Sequence, residues 1–110
     1  MSQPDTSNAG KTVRFLIRAA ARAALGTTLP DGRPYVSLVE LATDGGGSPL
    51  LLLSGLAQHT RNLAVSPAVS LLIDGTAGTL DGPRATLLGT LEANVDEAAR
   101  ERYLARHPQA

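Results

Sequence analysis

The chain has no cysteine, very few aromatic residues and no excess of either charge. Without cysteine it can form neither a disulfide nor a thiolate-bound metal site, which fits a reducing compartment and leads us to expect a cytoplasmic protein. One Phe, two Tyr and no Trp leave no platform for stacking nucleic-acid bases. Ten basic and ten acidic residues cancel. Nucleic acid is therefore not an expected partner.

Long hydrophobic runs are also missing. No apolar stretch approaches the roughly 20 residues of a membrane-spanning helix, so we expect no membrane partner. The opening "MSQPDTSNAG" lacks the basic-then-apolar order of a signal peptide. The sequence predicts a flexible N-terminus over residues 1–10 and a single domain over residues 11–110.

Hydrophobic periodicity divides this domain into helices and strands. Apolar residues at three- and four-residue steps predict a helix over residues 11–21. Pro30-Asp31-Gly32 predicts the turn of a β-hairpin. Three more strands are expected, namely "PLLLLSG" (residues 49–55), which is apolar on both faces and so expected to be covered on both, "AVSLLIDG" (68–75) and "PRATLLGTLEANV" (83–95).

Two further helices complete the prediction. A short one begins near Gln58 and stops before Pro67, and a charged one follows Asp96, a favourable N-cap residue. The loops between the first three strands are too short for crossover helices, so the sheet is expected to be antiparallel. The predicted fold class is mainly β with flanking helices, as a small barrel or curled sheet.

A polar block directly behind the leucine run is the strongest candidate site. Together with the unpaired N–H groups of a helix start, its side chains would form an anion site, most simply for a phosphate. The alternative is that Thr60 only caps a surface helix while its neighbours are solvated. The block consists of Ser54, Gln58, His59, Thr60 and Arg61.

Four segments in order, "GRPYVSLVEL", "LLSGLAQHTRNL", "SPAVSLLIDG" and "GPRATLLGTLE", resemble the FMN-binding split barrel of pyridoxamine 5'-phosphate oxidase-like proteins. The resemblance spans residues 12–108 and is strongest to the HugZ-type haem-utilisation branch. It implies a small antiparallel split β-barrel, FMN as cofactor, and a homodimer with the flavin site at the subunit interface. It also implies that such proteins continue beyond the last helix, so that the chain is either minimal or truncated.

The resemblance also assigns FMN-binding residues by position. The sequence also departs from the family pattern at three positions. His59 and Thr60 replace the Arg-Lys pair that holds the phosphate in the oxidases, and Ala42 replaces a substrate-binding lysine. A pyridoxamine-phosphate substrate is therefore not expected. The implied flavin contacts are Ser37, Leu38 and Val39 on the second strand, the polar block Ser54, Gln58, His59, Thr60 and Arg61, and Arg84 on the fifth strand.

Three functions follow as alternatives. The first choice is an FMN-dependent oxidoreductase of unknown small-molecule substrate. The second is a haem-binding or haem-degrading protein on the same scaffold, and the third is a non-catalytic binding module. His107 is a further candidate ligand for a metal or haem, although a cation at a helix C-terminus is the simpler interpretation. No spacing of acidic residues predicts a metal site.

Overall fold

The computed structural model describes the backbone of residues 6–110 and the side chains of residues 10–110. In this part of the chain, six strands and three helices form one antiparallel sheet of four strands, a two-stranded ribbon and three flanking helices. The elements are α1 (Thr6–Ala19), β1 (Arg22–Thr28), β2 (Pro34–Glu40), β3 (Ala42–Thr43), β4 (Pro49–Leu50), α2 (Gln58–Val65), β5 (Ala68–Asp74), β6 (Arg84–Thr90) and α3 (Glu97–Arg106).

The predicted hairpin is confirmed and forms half of the main sheet. Strands β1 and β2 pair along their whole length, and their turn is closed by the Leu29 amide, which donates to the Arg33 carbonyl at 2.8 Å. Gly32 has φ +91°, a left-handed conformation that only glycine adopts without strain. Strand β1 also pairs with β5, and β5 with β6, so the order across the sheet is β2-β1-β5-β6.

Helix α1 begins and ends earlier than predicted. The expected span was residues 11–21, whereas the helix covers Thr6–Ala19 and so includes residues 6–10 of the predicted flexible terminus. Residues 1–5 of that prediction lie outside the described residues. The helix ends early because the Ala21 carbonyl accepts from the Leu41 amide at 2.9 Å, which draws the chain into the sheet despite the helix propensity of alanine.

The predicted third strand, residues 49–55, is wrong in its length. Only Pro49–Leu50 pairs, as β4 against β3, and residues 51–54 leave the sheet. The expectation that both faces of this run are covered is also wrong, since Leu51 and Leu53 pack on the core while Leu52 is 60% exposed. The loop before β4 is tied by the Asp44 carboxylate, which accepts from the amides of Gly46 and Ser48 at 2.9 Å.

The remaining elements agree with the prediction at their centres. Helix α2 stops before Pro67, and β6 ends at Thr90, five residues short of the predicted end at residue 95. Asp96 caps α3 by accepting from the Ala98 amide at 3.2 Å. Mainly β architecture with flanking helices is thus confirmed.

The four-stranded sheet has an inner and an outer face, and the core lies on the inner one. Leu16 and Ile17 of α1 pack there against buried residues of β1, β2 and β5. Strand β6 contributes half-buried residues to the same core. The buried strand residues of this cluster are Ala23, Leu25, Val39, Leu71 and Ile73. The outer face carries the alternate residues of the same strands and remains largely exposed, with Val36, Leu38, Leu72 and Leu88 among them.

Candidate functional site

Helix α2 is held against the sheet by a buried polar contact. Asn62 is fully buried, and its side-chain amide donates to the Thr27 hydroxyl on β1 at 2.9 Å. Gln58, one helical turn earlier, donates from Nε2 to the Asn62 Oδ1 at 2.7 Å. Because buried polar groups need partners, this chain of contacts fixes the rotation of α2 and so decides which side chains face β2.

His59 is the residue that α2 presents to β2. Its Nδ1 lies 3.0 Å from the Ser37 hydroxyl, so two residues that were predicted to share a site, 22 positions apart, are in contact. The other ring nitrogen, Nε2, is buried and has no hydrogen-bond partner. A buried polar atom left unpaired costs roughly 1–3 kcal/mol, a cost that a bound ligand would remove.

A cleft of about 430 Å³ opens beside His59 and runs along the end of β2. Its walls are mainly apolar, and two of them, Leu38 and Leu52, are 70% and 60% exposed. The cleft thus combines apolar surface, an imidazole and a few polar groups. It is lined by Leu38, Val39, Glu40, Leu52, Leu53, Ser54, Ala57, His59, Tyr103 and Ala110.

The side chains of Thr60 and Arg61 already have hydrogen-bond partners within the same segment. The Thr60 hydroxyl donates to the Ser54 carbonyl at 2.5 Å. Arg61 donates to the Leu56 carbonyl at 3.2 Å and to the Gln58 Oε1 at 2.7 Å. A phosphate would have to compete for these donors, which weakens the simple interpretation of the block as a preformed grip.

The start of α2 nevertheless keeps open donors. Ala57 occupies the N-cap position and provides no side-chain cap, so the first-turn amides have no side chain of the cap to bind. The first-turn N–H groups of any helix also lack intrahelical acceptors. Arg61 is the only cation in the polar block, and the first turn of α2 has no acidic residue that would repel an anion.

The structure does not bring Arg84 to this site within one chain. Arg84 lies on β6, at the opposite edge of the sheet from β2, and it donates to the Leu80 carbonyl. Three strand spacings of about 4.8 Å separate the two edges. Val39 is a core residue that also lines the cleft, and its contact with a flavin stays a prediction.

The second histidine is already engaged. The Nε2 of His107 lies 2.7 Å from the Leu41 carbonyl, and its Nδ1 lies 3.3 Å from the Glu40 carboxylate. Tyr103 packs against its ring at 5.0 Å between centroids. Burial, followed by the nearby Glu40 charge, raises the pKa of Tyr103, so the phenol in the cleft wall is neutral. His107 therefore joins α3 to β2 and has no free nitrogen for a ligand.

Comparison with known proteins bears directly on this site. The family model described as pyridoxamine 5'-phosphate oxidase matches residues 9–110, nearly the whole chain. The chain belongs to this family. The family that the four sequence segments suggested is thus confirmed.

Among curated proteins, this family member is 45% identical over 83 residues to the non-canonical heme oxygenase HOZ of Arabidopsis thaliana, a chloroplastic protein. The match covers 73% of the chain and 26% of the plant protein. The chain therefore corresponds to about a quarter of that relative.

Two solved structures share the fold closely. A heme binding protein from Mycobacterium smegmatis matches with a TM-score of 0.79 and 30% identity, over 96% of this chain and 45% of its own. Atu2129 of Agrobacterium tumefaciens, of unknown function, matches with a TM-score of 0.79 and 27% identity, over 99% of this chain and 49% of its own. These likenesses confirm the predicted split-barrel fold and its placement near the haem-utilisation branch.

Two features are absent from the described residues, 6–110. They contain no cluster of three or more His, Cys, Asp or Glu suited to a metal ion. None of the helices there is long and apolar enough to cross a bilayer.

Sequence reasoning missed several residues that define the site. Asn62 belongs to the same polar stretch but was not predicted as a site residue, although it lies four positions after Gln58 and so shares its helix face. Tyr103 was not predicted as a site residue either. Leu52 was expected in a covered strand. The i, i+4 spacing of Gln58 and Asn62 was the one signal in the sequence that pointed to the first of these.

Proposed function

We propose that this chain is a haem-binding protein of the pyridoxamine 5'-phosphate oxidase family, with the haem in the His59 cleft. The observation that carries the proposal is His59 itself: an imidazole held in place by Ser37, with an unpaired Nε2, beside an apolar cleft. Two relatives of this chain, at 45% and 30% identity, are named as a heme oxygenase and a heme binding protein.

The residues present fit this group. Imidazole nitrogen is a common axial ligand of haem iron, and of the two histidines only His59 has a ring nitrogen without a partner. The exposed side chains of Leu38 and Leu52 offer apolar surface to a macrocycle. Because Nε2 is closed off from solvent, the side chains around it would have to move aside before a ligand could reach it.

The role of each residue follows from its contacts. Ser37 sets the orientation of the imidazole. With Nε2 bound to iron, Nδ1 would carry the proton and donate to the Ser37 hydroxyl oxygen. Tyr103, whose pKa is raised by burial, keeps a neutral phenol in the wall. When bound, haem would supply the iron chemistry, while the chain itself binds, orients and excludes water.

FMN-dependent oxidoreduction is the second candidate, and one observation favours it. The uncapped first turn of α2 together with Arg61 provides donors for a phosphate. The present partners of Thr60 and Arg61 would first have to be given up. For this reason we place haem ahead of the flavin, which reverses the preference drawn from the sequence.

Parallel titrations with haemin and with FMN test the proposal. We expect a saturable Soret shift with haemin at micromolar concentration and weaker quenching of FMN fluorescence. Leu52→Asp should weaken haemin binding at least tenfold, because a carboxylate would enter the cleft wall. Val95→Asp, at a site that is 98% exposed, is the matched control. Tight FMN binding with no Soret shift would instead support the flavoprotein.

A further inference from the structure

A second cleft, of about 420 Å³, opens where α1 and α3 pack on β3. Three of its six lining residues are arginines, and none is acidic. It shares no lining residue with the His59 cleft, and none of the residues that the resemblance assigned to a flavin lies in it. A volume of this size is typical of small-molecule sites. This arginine cleft is lined by Arg18, Ala42, Thr43, Arg102, Ala105 and Arg106.

The positive charge in the arginine cleft is not balanced locally. The whole chain has as many acidic as basic residues, so the cluster does not follow from composition. Among residues 10–110 the salt bridges are Asp31–Arg33 and Glu40–His107, and neither includes an arginine of the cleft. Like charges that converge without a counterion repel one another, and a bound anion would remove this cost.

Arg102 is held in an orientation that suits an anion site. Its Nε donates to the Thr43 carbonyl on β3 at 2.9 Å, which ties the side chain across the cleft. Its two terminal nitrogens have no hydrogen-bond partner among residues 10–110. A guanidinium fixed through Nε keeps its terminal donors for an oxyanion, and less entropy is lost on binding because the side chain is already ordered.

The other two cations approach the same floor from two helices. Arg18 lies in the last turn of α1, and its Nη2 would be 3.9 Å from a Cβ placed on Gly47, in the loop between β3 and β4. Arg106 lies one helical turn after Arg102 on α3, so their side chains share a face of that helix. Ala42, 5% exposed, closes the floor between them. The tertiary structure thus brings together arginines that are 84 positions apart or more.

A simpler interpretation covers only part of this cluster. Arg18 and Arg106 lie in the last turns of their helices, where a positive charge is favourable to the helix dipole. Arg102 is not explained in this way, because it lies in the middle of α3 and is bonded to a strand. A role at a helix end also leaves the guanidinium donors of Arg18 and Arg106 available to a ligand.

Helix α1 extends the positive surface beyond the cleft. Lys11 and Arg14 precede Arg18 at three- and four-residue spacings, so all three lie on one face of the helix. They are exposed, and residues 10–19 contain no acidic residue. A positive stripe that leads to a cleft raises the local concentration of anions and their rate of association.

We propose that the arginine cleft binds the phosphate group of a second ligand, separate from the ligand of the His59 cleft. The guanidinium fork matches the spacing of phosphate oxygens, and three such groups can neutralise a phosphate dianion or a pyrophosphate. A monocarboxylate would leave two of the three cations without a counterion. Phosphate groups occur on soluble metabolites and on lipid headgroups, and the experiments below distinguish these sources.

Calorimetric titration with pyrophosphate tests the site. At low ionic strength, where screening is weak, we expect saturable binding that Arg102→Gln weakens by about tenfold, because charge-assisted hydrogen bonds are lost. Arg100→Gln, two positions earlier on α3, removes the same charge outside both clefts and should change the affinity little. Equal losses in the two variants, or succinate binding as tightly as pyrophosphate, would overturn the proposal.

A further variant guards against a folding defect. Arg102 joins α3 to β3, so its substitution can disturb the cleft itself, and circular dichroism would reveal this. Arg18 has no hydrogen bond to another element among residues 10–110, so Arg18→Gln should leave the fold intact and still weaken pyrophosphate binding several-fold. An Arg18→Gln protein with the wild-type affinity would overturn the cleft as the binding site.

NMR locates the anion without any substitution. On addition of pyrophosphate, the Nε–H signals of Arg18, Arg102 and Arg106 should shift together, while that of Arg61 near the start of α2 should not. Shifts confined to Arg61 would place the phosphate at the polar block and overturn the proposal.

Vesicle sedimentation distinguishes the two sources of phosphate. Binding to phosphatidylglycerol vesicles but not to neutral phosphatidylcholine ones, lost in Arg102→Gln and displaced by pyrophosphate, would assign the site to a lipid headgroup. Binding of pyrophosphate without binding to vesicles would assign it to a soluble ligand. Saturable binding of neither probe would refute the site, and none of these results would bear on haem binding.

Discussion

The contact between Asn62 and Thr27 should be among the most costly in the chain to break. Asn62 is 0% exposed and Thr27 is 4% exposed, so water cannot replace either partner. Thr27→Val keeps the shape of the side chain but leaves the Asn62 amide without its acceptor. This loss should lower the free energy of unfolding by about 1–3 kcal/mol. In a domain of this size, each kcal/mol of lost stability lowers the Tm by roughly 4 °C, so the Tm should fall by about 4–12 °C.

A double-mutant cycle separates this contact from packing. Asn62→Leu alone should destabilise to a similar extent, because the Thr27 hydroxyl and the Gln58 amide each lose a partner. In the double variant both partners are apolar, so its destabilisation should be smaller than the sum of the two by about 1 kcal/mol. Urea unfolding followed by circular dichroism measures all three variants, with the exposed Thr90→Val as control. Strict additivity, or an unchanged Thr27→Val protein, would refute the buried hydrogen bond.

Two further predictions concern the loop between β5 and β6. Gly75→Ala should destabilise the fold by about 1–3 kcal/mol in the same assay, because its Cβ would lie 2.8 Å from the Pro83 backbone oxygen. Gly45→Ala is the control and should be nearly neutral, since a Cβ there would have no atom within 4 Å. Equal effects of the two substitutions would contradict the close packing at Gly75. Hydrogen bonds from the Thr76 hydroxyl and amide hold the pKa of Asp74 below its ordinary value of 3.8. The resulting stability is present above the unfolded-state pKa and is lost as the pH falls through the lower folded value. Thr76→Val should raise the Asp74 midpoint in a carboxyl NMR titration, and an unchanged midpoint would exclude the hydroxyl as the cause.

Local signals in the sequence were sufficient for several elements. The turn residues Pro30-Asp31-Gly32 and the cap Asp96 act within a few positions, so the hairpin and α3 followed from the sequence. Pro67 likewise marks the end of α2, because a proline cannot continue the helix.

Local signals did not predict elements whose extent depends on contacts between distant parts of the chain. The run of leucines at residues 50–53 has no periodicity that distinguishes a strand from an apolar segment packed on a core, so β4 was predicted too long. Arg84 was assigned to the site by its position in a motif. Its place within one chain depends on the strand order β2-β1-β5-β6, which sets it at the far edge from β2, and its assignment to a shared site stays a prediction.

Within the candidate site, the sequence predicted which residues are present better than it predicted their hydrogen-bond partners. Ser37 and His59 were both predicted and do meet. The internal hydrogen bonds of Thr60 and Arg61 depend on the loop that precedes α2, and its shape is not encoded in any local pattern. Because these donors are already engaged, the site fits an apolar cleft with an imidazole better than a preformed phosphate site.

The most direct test of the central claim is the absorption spectrum of the haemin complex of His59→Ala. If His59 supplies the iron ligand, this substitution should shift the Soret and visible bands and weaken haemin binding, and added imidazole should restore the wild-type spectrum. Ser37→Ala should leave the ligand in place but alter its basicity, with a smaller spectral change. A His59→Ala complex with the wild-type spectrum and affinity would contradict the account and place the haem, if bound, elsewhere.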